Sequence, residues 1–440
     1  MNFTASLVPP TPDKSGHADA AMRILKRLLR NFRGSIALRL WNDAAHYIGH
    51  APPAFTLVVR DPAVLRKLVL NRSALVLADA YFRGLLDIEG DLYSVLRLKN
   101  HFQKLILPLR ERSALLLDAL RLPRKPAIPS ASSSAALLEG DRFSHDHSRQ
   151  SDRAAISFHY DVSNQFYKLW LDEQMVYSCA YFETPDSTLE QAQRHKLDHI
   201  CRKLRLKPGE RFLDIGCGWG ALVCWAAQHY GVKAHGITLS QQQHDYAQRR
   251  IADAGLHDLV TVELRDYRDL QGEAVFDKAA SVGMFEHVGL ANLPVYNATV
   301  HRVLRPGGLF LNHGITHDEE GWHPNIDTDF INRYVFPDGE LDTVSNIQRG
   351  MEHAGFEIHD VEGLRPHYAL TLRHWVQRLE AAHDEALQHV SETAYRVWRL
   401  YMAACAVEFE AGGTGVYQIL VSRRGATQPA LPLTRRDLYA

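Results

Sequence analysis

The stretch from Arg211 to Gly220, R-F-L-D-I-G-C-G-W-G, constrains this chain more than any other. Three apolar residues, Phe212, Leu213 and Ile215, lead into glycines at every second position, and Ala221–Tyr230 then reads as a helix. A buried parallel strand, a tight glycine turn and a helix N-terminus form the arrangement that lets a nucleotide approach bare backbone. The acidic residue stands in front of the glycines, as Asp214. The end of the next strand, Gly236-Ile237-Thr238-Leu239-Ser240, carries no carboxylate for a dinucleotide ribose. This pattern points to S-adenosylmethionine. Gly216, Gly218 and Gly220 would make room for the cofactor, and Asp214 would orient the turn or hold the cofactor's ammonium. On this stretch alone, a structural glycine turn in another α/β protein stays open.

The surrounding pattern fits such a sheet. Candidate strands fall at 211–216, 233–239, 260–265, 276–282 and 308–315 with helices between them, and 356–362 and 416–423 follow two insertions. The fold class predicted is α/β: a doubly wound, Rossmann-like class I methyltransferase sheet with its last strand antiparallel, carrying helical insertions, plus a small N-terminal α+β domain. The predicted divisions are a disordered terminus (1–20), an N-terminal lipid- or membrane-docking domain (21–122), a linker (123–153), the methyltransferase domain (154–425) and a tail (426–440). In the second division Ala21–Arg33 reads as a helix, 35–41 and 54–60 as strands, 62–70 as a helix and 93–122 as helical. Residues 78–92 read as turns alternating with apolar anchors. The first helix sets Leu25, Leu28, Leu29 and Phe32 on one face among arginines, which suits a membrane surface or the opening helix of a domain.

Charge is unevenly spread. The chain of 440 residues has a formal net charge of -1, yet residues 23–126 hold 19 lysines and arginines against eight acidic residues. A basic module calls for an anionic partner. With no nucleic-acid motif beside the charge, an anionic membrane surface is expected and nucleic acid is not. No run of eighteen apolar residues and no basic-then-apolar leader is visible. Five cysteines without a C-x-x-C pair suggest free thiols and a cytoplasmic setting, and the 24 histidines show no metal spacing.

Further motifs carry a resemblance. H-Y-D-V-S-N-Q-F-Y-K-L-W-L (159–171), Y-S-C-A-Y-F (177–182), G-I-T-L-S-Q-Q-Q (236–243), S-V-G-M-F-E-H-V-G (281–289) and F-I-N-R-Y-V-F-P-D-G (330–339) resemble the cyclopropane fatty acid and mycolic acid cyclopropane synthases. The likeness runs from about Phe158 to Arg423. Residues 35–92 are similar to the N-terminal domain of the phospholipid-acting bacterial branch. It implies cofactor contacts at Tyr177, Ser178, the 212–220 turn, Thr238, Gln243, Asp266 and Tyr267, with Thr238 and Gln243 bonding adenosine hydroxyls and Asp266 the adenine amino group. It implies a bound bicarbonate held by Cys179, Glu286, His313, the Ile315 backbone and Tyr368. Taken singly, Cys179 and His313 read equally well as core residues, Thr238 and Gln243 as turn residues, and Tyr368 as a helix cap.

The implied chemistry is methylene transfer to the cis double bond of an acyl chain in membrane phospholipid. A π bond is a weak nucleophile, so the methyl must be held in line and dry. The resulting cation needs an apolar, aromatic pocket, and one proton must then leave. An ionised Glu286 would repel the anion, so a shared proton or a charged His313 is required. The aromatic residues of 317–352 (Trp322, Phe330, Tyr334, Phe336) and 366–412 (Trp375, Tyr395, Trp398, Tyr401) are candidates for lining the lipid pocket. A methyl-branched or methylene product is an alternative, as is a lipid-binding protein without turnover. The resemblance also implies a peripheral position on the inner face of the membrane and a possible homodimer.

Overall fold

The computed structural model describes residues 16–49, 51–71, 73, 75–127, 147–149, 151–152, 163–323, 330–332, 334–335, 339–426 and 431–439. Residues 1–15, most of the 123–153 linker, the 159–162 head of the first motif and Phe336 lie outside the described residues. The chain forms two compact units. One contains residues 1–139 and 391–407, the other 140–390 and 408–440.

The first unit is built on a four-stranded sheet in the order β2-β1-β3-β4. Its strands are β1 (Ile36–Leu40), β2 (Ala45–Ile48), β3 (Phe55–Val59) and β4 (Leu86–Gly90). β1 runs parallel to β3, and the other pairs are antiparallel. The helices are α1 (His17–Leu28), α2 (Ala63–Asn71), α3 (Leu75–Phe82), α4 (Leu92–Leu96), α5 (Leu98–Lys104) and α6 (Leu109–Arg121). Sequence periodicity missed β2, α3 and β4. β2 is a half-exposed edge strand of four residues, and α3 is apolar almost all round, so neither shows a clean period.

α1 is the opening helix of a domain. Ala20, Ala21, Ile24 and Leu25 are buried, and its arginines turn to α6. Arg23 Nη2 donates to Asp118 Oδ1 at 2.8 Å, and Arg27 donates to Asp118 Oδ2 at 2.6 Å and Glu111 at 2.9 Å. A carboxylate buried to 3% exposure is thus met by cations instead of water. The helix Glu392–Ala411 contributes its first part here. Thr393 Oγ1 donates to the Phe82 carbonyl, and Arg399 to the Tyr81 hydroxyl at 2.8 Å. Tyr395, Trp398 and Tyr401, read from the sequence as pocket candidates, therefore fall in the N-terminal unit.

The second unit opens with α7 (Asn164–Lys168) and α8 (Leu189–Lys203). Then come β5 (Arg211–Ile215), α9 (Ala221–Tyr230), β6 (Lys233–Thr238), α10 (Gln241–Asp253), β7 (Val260–Leu264), β8 (Phe276–Val282), α11 (Leu293–Val303) and β9 (Leu304–His317), alternating except that the short turn Tyr267–Asp269 stands between β7 and β8 where the sequence predicts a helix. α12 (Val344–His353), β10 (Phe356–Gly363), α13 (Arg365–Ala381) and β11 (Thr414–Arg423) complete it. The sheet order is β10-β11-β9-β8-β5-β6-β7, with β11 antiparallel to both neighbours. This is the doubly wound sheet that the strand spacing predicts. Phe212 packs in one core with α8, α9 and α10, while Leu213 and Ile215 face another with α11 and α12. Burial on both faces explains why β5 reads as nearly continuous apolar sequence. β9 begins before its predicted start, and Gly307 at φ +75° lies where its register on β8 shifts.

Replacing Asp118 by Asn weakens the tie between α1 and α6. Amide exchange in both helices is expected to accelerate by about tenfold, with β5–β9 unchanged as the internal reference.

Candidate active site

The parallel strands end at a cleft. Gly216, Cys217, Gly218 and Trp219 after β5, Thr238 and Leu239 at the end of β6, Arg265 after β7 and Val282–Met284 at the end of β8 line it. So do Tyr177, Ser178, Lys196, Asp214, Gln243, Tyr267 and His287. This is the crevice at the carboxyl ends of the strands where open α/β sheets bind ligands. Gly216 has φ +81°, and a Cβ there would meet Met284 at 2.7 Å. At Gly218, φ +54°, a Cβ would meet nothing within 4 Å, so the turn leaves bare backbone facing open space. Asp214 is buried, and its Oδ1 has no hydrogen-bond partner among the described residues. Burial pushes its pKa up to about 7, with Lys196 opposing the rise. A cradle without side chains and an orphaned carboxylate oxygen fit a cofactor bearing an ammonium group.

Thr238 Oγ1 donates to Gln243 Oε1 at 2.8 Å, which leaves the amide NH2 as the donor that Gln243 can turn to a ligand. Gly220 caps α9, with its space bounded by Ala247. Asp266 is placed differently from its neighbours. Its carboxylate caps the turn at Arg268 and accepts from the Arg268 guanidinium at 2.6 and 2.9 Å, and it is not among the cleft-lining residues. Tyr267 does line the cleft.

Sequence reasoning missed Lys196 and Gln193. Both lie on the buried stripe of α8 among Leu189, Ala192, Leu197 and Ile200. Lys196 Nζ donates to Ser178 Oγ at 2.8 Å, and Gln193 Nε2 to the Ser178 carbonyl at 3.0 Å. An ammonium can only donate, so the Ser178 hydroxyl keeps its own proton for another acceptor. Desolvation lowers the Lys196 pKa to about 8, against the pull of Asp172, Cys179 and Asp214. The available signal was a cation at a position whose period demands an apolar residue.

Of the five residues assigned to the anion, Cys179, Glu286, His313 and Tyr368 are buried and Ile315 is half-buried. Glu286, in the turn Phe285–His287, accepts from the Ile315 backbone N–H at 2.7 Å through Oε1. Its Oε2 is buried without a partner among the described residues. The Ile315 N–H is therefore engaged in orienting Glu286. His313, two residues back on β9, takes a hydrogen bond from Gln418 Nε2 to Nδ1 at 3.1 Å, which puts the imidazole proton on Nε2. That Nε2 also lacks a partner among the described residues. The Cys179 thiol lies 3.8 Å from the Leu364 carbonyl, which also accepts from the Tyr368 N–H, so Cys179 and Tyr368 share one anchor. Gly314 has no side chain because Phe285 fills the space where its Cβ would stand.

Burial sets the charges. It raises the Glu286 pKa to about 7, against the Ile315 hydrogen bond, and it pushes the Cys179 thiol up. It holds His313 well below its usual value and His287 down to about 4. Of the two ways to avoid repelling an anion, a proton on Glu286 is the one these shifts favour. An aromatic run joins the two halves of the site: Trp219 to Tyr167 (5.0 Å between centroids), Tyr167 to Tyr177 (5.7 Å), Tyr177 to Trp375 (5.2 Å) and Trp375 to Tyr368 (6.0 Å).

Residues 147–419 match the family model described as mycolic acid cyclopropane synthetase, and residues 24–107 match a domain of unknown function. The chain belongs to the mycolic acid cyclopropane synthetase family. It is an S-adenosylmethionine-dependent methyltransferase. It is 42% identical, over 93% of its length and 98% of the relative's, to a probable fatty acid methyltransferase of Pseudomonas putida. Against the cyclopropane-fatty-acyl-phospholipid synthase of Escherichia coli K12 the identity is 36%, over 88% of this chain and 93% of that one. Among solved structures, the mycolic acid cyclopropane synthase CmaA1 complexed with SAH and CTAB is similar at 34% identity and TM-score 0.58, over 61% of this chain and 98% of that one.

Lys196→Met removes the donor behind Ser178. Titration calorimetry with S-adenosylhomocysteine is expected to show about tenfold weaker binding at pH 7. Wild-type affinity should fall as pH rises through about 8, where Lys196 gives up its proton, and the variant should lack that limb.

Proposed function

We propose that this chain transfers a methylene from S-adenosylmethionine to the cis double bond of unsaturated acyl chains in membrane phospholipids, forming a cyclopropane ring. The observation that carries the reading is the pair of buried atoms Glu286 Oε2 and His313 Nε2, neither with a partner among the described residues, in the same unit as an aromatic run that begins in the cofactor cleft.

When bound, S-adenosylmethionine supplies an electrophilic methyl and bicarbonate supplies a proton acceptor that resists alkylation. Protonated Glu286, His313 through Nε2–H, and the Cys179 thiol are neutral donors suited to holding a small anion, with Tyr368 as the fifth member of the set. The Ile315 N–H fixes the Glu286 carboxyl that does the holding. As the double bond takes the methyl carbon, its second carbon becomes cationic, and the faces of Tyr177, Trp375 and Tyr368 stabilise that charge and exclude water. Loss of one proton from the transferred methyl lets its electron pair close the ring.

The substrate is an acyl chain within a membrane surface. The basic N-terminal unit and the 36% identical relative named for phospholipid support this. Among the described residues no helix is long and apolar enough to cross a membrane, so contact would be peripheral. The relative named as a fatty acid methyltransferase favours a second reading, in which the proton leaves the acyl chain and a methyl-bearing alkene results. Mass spectrometry of lipids from cells expressing the chain distinguishes them. Both products gain the mass of one CH2, and only the ring gives ring-opened derivatives.

Glu286→Gln is expected to lower kcat by about a hundredfold while leaving cofactor affinity within about twofold. At fixed bicarbonate, wild-type turnover should decline as pH rises through about 7, where Glu286 ionises, and the variant should lack that decline. Stripping bicarbonate from the buffer should abolish most turnover, and adding it back should restore it. Stripped enzyme at full rate would remove the anion from the mechanism.

A further inference from the structure

Helix α6 presents an apolar stripe to solvent. Leu109 is 81% exposed, Leu116 44%, Leu117 59% and Leu120 51%, and Ile106, just ahead of the helix, 86%. At roughly 100° per residue, Leu109, Leu116 and Leu120 fall in one narrow sector with Leu117 at its border. The helix's other side is used inside its own unit, where Asp118 and Ala119 are buried and Asp118 and Glu111 meet the arginines of α1. These two are the only acidic residues of α6, so its outward sector carries no negative charge. Arg110 borders the stripe on one side and Arg112 on the other, both exposed, while Arg121 beside Arg110 is held by Asp118 at 2.8 Å.

Scattered surface leucines need no explanation, but a contiguous row with cations along both borders does. We propose that α6 is the element through which this chain docks on an anionic bilayer. Its leucines enter the boundary between headgroups and acyl chains, and its arginines meet lipid phosphates. The inference rests on the reading that the substrate acyl chain lies in a membrane, and it names the surface that reaches it. It also moves that surface away from α1, whose arginines are engaged with Asp118 and Glu111. Charge selects the occupant. A second copy paired face to face through this stripe would bring the Arg110 and Arg112 cations of both copies together, whereas anionic lipid complements them.

The test uses the full-length chain, vesicles of unsaturated phosphatidylglycerol and phosphatidylcholine, and the variant Leu109→Gln/Leu116→Gln/Leu120→Gln. Co-sedimentation of the variant with these vesicles is expected to fall by about tenfold or more, and methylene transfer to vesicle lipid to fall with it. Transfer to the same lipid dispersed in detergent should stay within about twofold, which also shows that the variant is folded. Arg110→Gln/Arg112→Gln should reduce the salt-sensitive part of vesicle binding. Unchanged vesicle binding by the leucine variant would overturn the proposal. So would a wild-type dimer that this variant dissociates, since the stripe would then be covered by a second copy. Absence of transfer by the wild type in detergent would instead sink the functional reading, and vesicle binding would still decide the role of α6.

Discussion

Desolvation governs this site. Burial is the largest cause of every shift in it: Glu286 and Asp214 rise to about 7, Lys196 falls to about 8, His313 is held well below its usual value and the Cys179 thiol is pushed up. The same exclusion of water that imposes these shifts is what a carbocation on an acyl chain requires. A water molecule beside it would end the reaction as an alcohol. On the proposed reading, the environment that neutralises the side chains and the one that would protect such a cation are the same, and the second comes only with the first.

That constraint explains the type of residue present. A charged base facing the cleft would compete for the electrophilic methyl and would cost several kcal/mol to bury. Neutral donors avoid both difficulties. Gln418 fixes the His313 tautomer and the Ile315 N–H fixes the Glu286 carboxyl, so each donor is aimed by a hydrogen bond made at its other end. Lys196 follows the same logic in the cofactor cleft, where its ammonium acts through the Ser178 hydroxyl.

Much of this was legible in the sequence. The seven strands of the large sheet appear near their predicted positions, the central ones because strands buried on both faces are short apolar runs bounded by glycine or polar turns. Tyr177, Ser178, Asp214, Gly216, Gly218, Thr238, Gln243 and Tyr267 lie together because each follows or flanks a strand end or the entry segment. What stayed hidden was long-range. Lys196 and Gln193 interrupt the apolar stripe of α8, but what they bond to is visible only once the fold brings Ser178 against them. Asp266 precedes Arg268, and nothing in the local pattern reveals that this arginine takes its carboxylate. The assignment of residues 391–407 to the N-terminal unit depends on contacts more than 300 residues apart in sequence, such as Thr393 with Phe82.

The charge asymmetry shows how composition can be right about a module and silent about its surface. Among the cations counted between residues 23 and 126, Arg23 and Arg27 pair with Asp118 and Glu111, Arg60 with Asp87, and Arg66 donates to backbone carbonyls near Leu122. A cation paired inside its own unit contributes little field to an approaching membrane, so net charge overstates the basic face. The outward cations that matter are those whose neighbours are apolar. Arginines beside exposed leucines can be stripped of water at the same moment that the leucines are, and the two contributions then arise from a single contact.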